Sequence, residues 1–156
     1  MALSFTACVP GELRFRDLVG TMVREVCRRV ERDAGCEGLE WRVVSAYNEA
    51  FNNIVEHAYA AGHGEVEVLL RVDEATDRLV LRLVDHGAGF DFGTSGAVEA
   101  PPVDALSDGG MGLFIIRQSM TEVQYERRED RNHLTMTKRL SECAAPGRAL
   151  HGDGRC

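Results

Sequence analysis

EVEVLLRVDEATDRLVLRLVD, residues 65–85, holds two runs in which apolar and polar side chains alternate, 65–72 and 78–85, joined by Asp73-Glu74-Ala75-Thr76-Asp77. A period of two puts successive side chains on opposite faces of a strand, so the stretch predicts a β-hairpin with one face turned to a core. In the second run Leu79, Leu81 and Leu83 take the inward positions, and the next inward position is Asp85. An inward carboxylate needs hydrogen-bond donors around it. The hairpin therefore delivers a piece of sheet and, at its end, a first candidate functional residue.

Upstream the period is that of a helix. After a short strand over 2–9 and the break at Pro10-Gly11, the residues Phe15, Leu18, Val19, Met22, Val23, Val26, Cys27 and Val30 recur at helical spacing. The opposite face carries Arg24, Glu25, Arg28, Arg29, Glu31 and Arg32, a solvated surface. A second helix is expected over 39–60, with Leu39, Val43, Ala46, Ala50, Ile54 and Ala58 as its stripe, widened by Tyr47, Phe51 and Val55. Downstream, 86–108 is rich in glycine and proline and has no period; a structureless loop of that length inside a compact domain is usually functional, often a lid. Gly109-Gly110-Met111-Gly112 then opens a short helix over 113–120, and strands over 121–127 and 132–140 close a hairpin around Glu129-Asp130-Arg131. The pattern predicts an α+β two-layer sandwich, a mixed but mostly antiparallel sheet covered on one face by about three helices. The domain occupies 1–140, and 141–156, without an apolar period, is an expected disordered tail.

The 156 residues suit one compact unit, and no apolar run approaches the roughly 20 residues of a membrane helix. The opening Met1-Ala2-Leu3-Ser4-Phe5-Thr6 lacks a basic leader followed by an apolar stretch, so the expected compartment is the cytoplasm. With 18 basic and 25 acidic side chains the formal charge is −7, which disfavours nucleic acid and anionic lipid and suits basic partners. Lys138 is the sole lysine, which excludes a Walker loop and a eukaryotic-type protein kinase, both of which need a lysine elsewhere. Five cysteines, none in a CxxC pair, fit reduced thiols better than a disulfide framework or a zinc site.

Three features depart from a bland domain. Glu49, Asn53 and His57 stand at i, i+4 and i+8 on the second helix, one half-buried line at the border of the apolar stripe, with Asn52 and Glu56 beside it. Singly, each is better explained as a side chain reaching solvent or nearby backbone; together they need several partners at once. Asp85 leads into His86-Gly87-Ala88-Gly89-Phe90, where the glycines permit positive φ and close backbone approach. Gly109 to Gly112 delivers a helix N-terminus, whose free N–H groups bind anions. Alone, the second is an ordinary strand exit and the third a plain connection. As a set they form one nucleotide site: a carboxylate and an amide from a helix, an inward carboxylate from a strand, and glycine-rich amides for phosphates. A Rossmann site is excluded, because Gly87-Ala88-Gly89 continues as Phe90-Asp91-Phe92-Gly93 and not as GxGxxG.

These residues resemble the histidine-kinase-type ATPase superfamily (GHKL, Bergerat fold), which includes gyrase and MutL. Glu49-Ala50-Phe51-Asn52-Asn53-Ile54-Val55-Glu56-His57-Ala58-Tyr59 is similar to its N box, 85–90 to its G1 box and 109–113 to its G2 box, in the right order. Within it, Leu106-Ser107-Asp108-Gly109-Gly110-Met111-Gly112-Leu113-Phe114-Ile115-Ile116 and Met136-Thr137-Lys138-Arg139-Leu140 resemble the bacterial anti-sigma factor serine kinases. The resemblance implies an ATP- and magnesium-dependent protein serine/threonine kinase, homodimeric, acting in stress-linked transcription control. Such a protein sequesters a sigma factor and phosphorylates an anti-sigma factor antagonist. It places Glu49 as catalytic base and Asn53 as magnesium ligand. Asp85 falls on the carboxylate that accepts the adenine amino proton, with Gly87 and Gly89 shaping the base pocket. Gly110, Met111 and Gly112 fall on the phosphate-binding segment, and His57 and Leu113, inside the N and G2 boxes, join the nucleotide-binding set. Where the family often carries a threonine early in its last strand, this chain has Asn132-His133.

Two other classes compete. A non-catalytic ATP-binding switch of the same fold would sequester proteins without needing both Glu49 and Asn53, so their presence favours catalysis. A plain ATPase that drives conformational change would be expected to carry a second domain to move.

Overall fold

The protein was described from a computed structural model, which covers residues 2–59, 64–89 and 110–143. The elements run β1 (Ala2–Pro10), α1 (Leu13–Ala34), α2 (Leu39–Asn53), a π-helical turn (Ile54–Ala58), β2 (Glu65–Asp73), β3 (Arg78–Asp85), α3 (Gly110–Ser119), β4 (Glu122–Arg128) and β5 (Arg131–Arg139). A 3-10 turn over Ser141–Cys143 follows. The five strands lie in the order β1-β2-β3-β5-β4. Where the sequence predicts a mixed sheet, all four pairings among the described residues are antiparallel.

Alternation decides which face is covered. Val66, Val68, Leu70 and Val72 of β2 and Leu79, Leu81 and Leu83 of β3 are fully buried, as are Leu134 and Met136 of β5. They meet Val23 of α1, Val43, Tyr47, Ala50 and Phe51 of α2, and Ile116 of α3 in one continuous core. Each large side chain so buried contributes roughly 1.5–3 kcal/mol. α1 stops where Gly35 takes φ 67° and its N–H donates to the Glu31 carbonyl at 2.9 Å, a left-handed cap that favours glycine. The β4–β5 turn is tighter than the sequence suggests: Arg128 pairs with Arg131, and Glu129 and Asp130 between them both have positive φ.

Three boundaries differ from expectation. The second helix keeps α-geometry only to Asn53 and then widens into the π-turn, which apolar spacing alone does not register. The third helix begins at Gly110, inside the glycine run, three residues before the first apolar side chain of its stripe. Ser141–Cys143 is ordered, not part of a disordered tail. The Ser141 N–H donates to Asp77 Oδ1 at 2.8 Å, and the Cys36 thiol reaches the Leu140 carbonyl at 3.2 Å. The predicted loop beyond Gly89, the glycine at 109 and the tail beyond Cys143 lie outside the described residues. Cys8, Cys27, Cys36 and Cys143 are free thiols, and burial pushes Cys27 up to about 12, which keeps it protonated and unreactive. Among the described residues no helix is long and apolar enough to cross a membrane.

The crossover matters most for function. β5 lies beside β3 although α3 and β4 intervene in the chain, and the register sets Asn132 opposite Asp85.

Candidate functional site

Asp85 closes the inward series of β3 and is 3% exposed. Two donors converge on its Oδ1: the Gly87 N–H at 2.8 Å and the Asn132 Nδ2 at 2.8 Å. The same Asn132 amide donates to the Gly87 carbonyl at 3.1 Å, so the carboxylate and the turn after it are pinned as a unit. Among the described residues no donor falls on Oδ2, which leaves it as the oxygen able to meet a ligand.

The two glycines of this turn serve different needs. Gly89 has φ 79°, a conformation other residues adopt at a cost. Gly87 is there for close approach: a methyl group on it would stand 2.2 Å from Ala58 Cβ and 2.6 Å from the Ala58 carbonyl oxygen. The π-turn thus rests directly on the segment after Asp85. Gly87→Ala should force the two apart, destabilising the fold by about 1–3 kcal/mol. The same displacement should weaken binding of the nucleotide that the sequence resemblance implies by tenfold or more, on the order of one lost hydrogen bond to a charged group. Denaturant titration and calorimetry with ATP read the two effects separately.

Glu49 and Asn53 sit one turn apart at the end of α2, and both face the start of α3. A methyl on Gly112 would lie 2.8 Å from Glu49 Oε2 and 3.6 and 3.7 Å from the Asn53 Oδ1 and Nδ2. Glu49 is half-buried and Asn53 is 9% exposed. Gly110, Met111 and Gly112 form the first turn of α3, whose N–H groups have no carbonyl four residues earlier in the helix. Gly112 is buried, Leu113 partly buried and Met111 exposed. The end of α2 thus brings a carboxylate and an amide oxygen to a positive helix end, a setting for anionic oxygens and an oxygen-bound cation. Among the described residues no group of three or more His, Cys, Asp or Glu could hold a metal by itself.

His57 does not join that line. The wider π-turn changes the rotation per residue after Asn53, so the i, i+4, i+8 alignment expected from α-geometry ends there, and His57 is exposed. Asn52 faces elsewhere, accepting from Arg16 at 2.8 Å.

Three residues outside the predicted set shape the site. Asn132 is 1% exposed and orients Asp85. Arg127 donates to the Ala88 carbonyl at 2.7 Å. The Tyr59 hydroxyl accepts from the His86 N–H at 3.0 Å and donates to the Glu65 carbonyl at 2.8 Å, joining the chain beyond the π-turn to the exit of β3. Asn132 was open to the argument that found Asp85: it heads the inward series with Leu134, Met136 and Lys138 on β5, a polar residue at a core position. No sequence signal marks Arg127, and Tyr59 stands out only as the last residue of the stretch similar to the N box.

Residues 16–138 match the family described as histidine kinase-like ATPase domain. Over 109 residues the chain is 34% identical to the serine/threonine-protein kinase BtrW of Bordetella bronchiseptica, covering 68% of this chain and 75% of that protein. Over 84 residues it is 36% identical to the serine-protein kinase RsbW of Bacillus mycoides and to that of Bacillus cereus, 51% of each chain. It thus spans about half the length of the Bacillus kinases and three quarters of the Bordetella one.

Proposed function

The chain belongs to the histidine kinase-like ATPase domain family, and from that premise we propose that it is an ATP-dependent protein serine/threonine kinase acting as an anti-sigma factor. In this reading it sequesters a sigma factor and phosphorylates a protein antagonist, as a homodimer in the cytoplasm. The observation that carries the catalytic part is the convergence of Glu49 and Asn53 on Gly112 at the start of α3. A protein that only sequestered partners would not need both groups there.

The chemistry follows from the placement. Asp85 Oδ2 accepts a hydrogen bond from the adenine 6-amino group, and Gly87, packed on Ala58, holds the turn that orients the carboxylate. The first N–H groups of α3, from Gly110 to Gly112, receive phosphate oxygens. Asn53 offers one amide oxygen for magnesium, an ion that takes few protein ligands beside waters and phosphate oxygens and supplies charge neutralisation at the transferring phosphate. Glu49 accepts the proton of the substrate serine or threonine hydroxyl. That oxygen bonds to the γ-phosphorus as the bond to the β-γ bridging oxygen breaks, and ADP leaves. A net charge of −7 suits a basic, DNA-binding partner such as a sigma factor.

Magnesium should raise the affinity of the wild type for ATP, and Asn53→Ala should remove about tenfold of that gain, the order expected when one bond to a charged group is lost. Calorimetry with and without magnesium measures it, and an undiminished magnesium effect in Asn53→Ala would dismiss the ligand. Co-purification of the ATP-loaded protein with candidate sigma factors tests sequestration. Retention of a sigma factor without phosphate transfer to any antagonist would replace the kinase with a nucleotide-gated switch.

A further inference from the structure

Cys36 and Cys143 come from distant parts of the chain and meet on one backbone oxygen. Cys36 lies in the connection between α1 and α2, and Cys143 ends the 3-10 turn after β5. The Cys36 thiol donates to the Leu140 carbonyl at 3.2 Å, and the Cys143 N–H donates to the same carbonyl at 3.1 Å. The two side chains are also hydrogen bonded to each other, sulfur to sulfur, and both are free thiols. The turn that carries Cys143 is braced in that position. The Ser141 N–H donates to Asp77 Oδ1 at 2.8 Å, the Thr121 hydroxyl donates to Glu142 Oε2 at 2.6 Å, and Lys138 Nζ lies 3.4 Å from the same carboxylate oxygen.

The two thiols differ in access and in electrostatic setting. Cys36 is 1% exposed and Cys143 8%, so an oxidant meets Cys143 first. The hydrogen bond from Cys36, with Lys138 and Arg42 adding their charge, holds the Cys143 thiol below its ordinary value, although burial works the other way. The thiolate is the form that attacks an oxidant. Cys8, the exposed thiol among those described, is shifted in the opposite direction, by partial desolvation and by Glu65 and Glu67. Exposure and reactivity therefore point to different cysteines.

We propose that Cys143 and Cys36 form a reversible redox modification site, in which hydrogen peroxide oxidises Cys143 and Cys36 closes a disulfide that ties the turn after β5 to the α1–α2 connection. The Cys143 thiolate attacks one peroxide oxygen, the O–O bond breaks, and the departing hydroxide takes up the proton that the thiol had released, leaving as water. Cys143 is then a sulfenic acid. The Cys36 sulfur attacks the Cys143 sulfur, the S–O bond breaks, and the hydroxyl leaves with the Cys36 proton as a second water. The two thiols give up two electrons and the peroxide takes both. A dithiol reductant reverses the bond by exchange.

The test treats the folded full chain with a small excess of hydrogen peroxide, alkylates the remaining thiols and maps the peptides by mass without reduction. The expected product is one linked pair, Cys36 with Cys143, formed while Cys8 is still alkylated as a free thiol and reversed by dithiothreitol. The linked protein should melt about 5–10 °C above the reduced one, the order for closing a loop of about 100 residues in a domain of this size. Oxidation of Cys8 with the pair left reduced would overturn the proposal. So would Cys143 joined to Cys27 or to a second chain, or Cys143 carried to the sulfinic acid without a link. A linked protein whose melting temperature does not rise would remove the clamp. Each of these is read on the wild type, so no variant has to fold for the result to count.

Discussion

Replacing Glu49 with glutamine should leave ATP affinity within about twofold of wild type while lowering phosphate transfer by 100-fold to 10,000-fold, the usual range for a positioned general base. The two effects separate because the substitution is nearly isosteric. Glu49 Oε2 lies where a methyl on Gly112 would come within 2.8 Å, so the side chain is confined, and an amide of the same shape keeps the packing of α2 against α3. What is lost is the ability to take a proton from a serine or threonine hydroxyl. Removing a negative charge from the start of α3 should, if anything, ease the approach of the phosphates. Calorimetry with ATP and a labelled-phosphate assay on the same preparation measure the two quantities. Full transfer by Glu49→Gln would remove the assigned base.

Asp85→Asn should act on the opposite half of the site, weakening ATP binding by about 100-fold, the cost of leaving a buried donor facing a donor. The geometry gives the reason. The Gly87 N–H and the Asn132 Nδ2 both donate to Oδ1. An amide at position 85 must therefore put its oxygen there and its NH2 in the place of Oδ2, the oxygen assigned to the adenine amine. The adenine amine would meet a donor in place of an acceptor. The variant should fold, since both internal bonds survive, and its melting curve should stay near wild type while calorimetry loses the ATP signal. Unchanged affinity would detach Asp85 from base recognition.

Much of this was legible in the chain. The alternation over 65–85 fixed which side chains of β2 and β3 face inward, and the same phase put Asp85 among the buried ones, where it lies at 3% exposure. Helical spacing found α1 and α2, because each has a broad apolar stripe. What escaped depends on relations that no local period carries. That β5 crosses back beside β3 is a long-range pairing, so the match of Asn132 to Asp85 appears only with the register. The π-turn over Ile54–Ala58 changes the backbone bonding without changing residue types, and it moves His57 out of the line that α-geometry gave it. Ser141–Cys143 has too few apolar residues to show a period, yet it is held by bonds to Asp77, a residue 64 positions earlier.

Transfer of labelled γ-phosphate from ATP to a serine or threonine of a candidate antagonist protein, with wild type and Glu49→Gln side by side, tests the central claim most directly. The account predicts a phosphorylated hydroxyl residue with wild type and at most about one hundredth of that rate with the variant. Equal transfer by both proteins, or ATP binding by the wild type with no transfer to any antagonist, would contradict it.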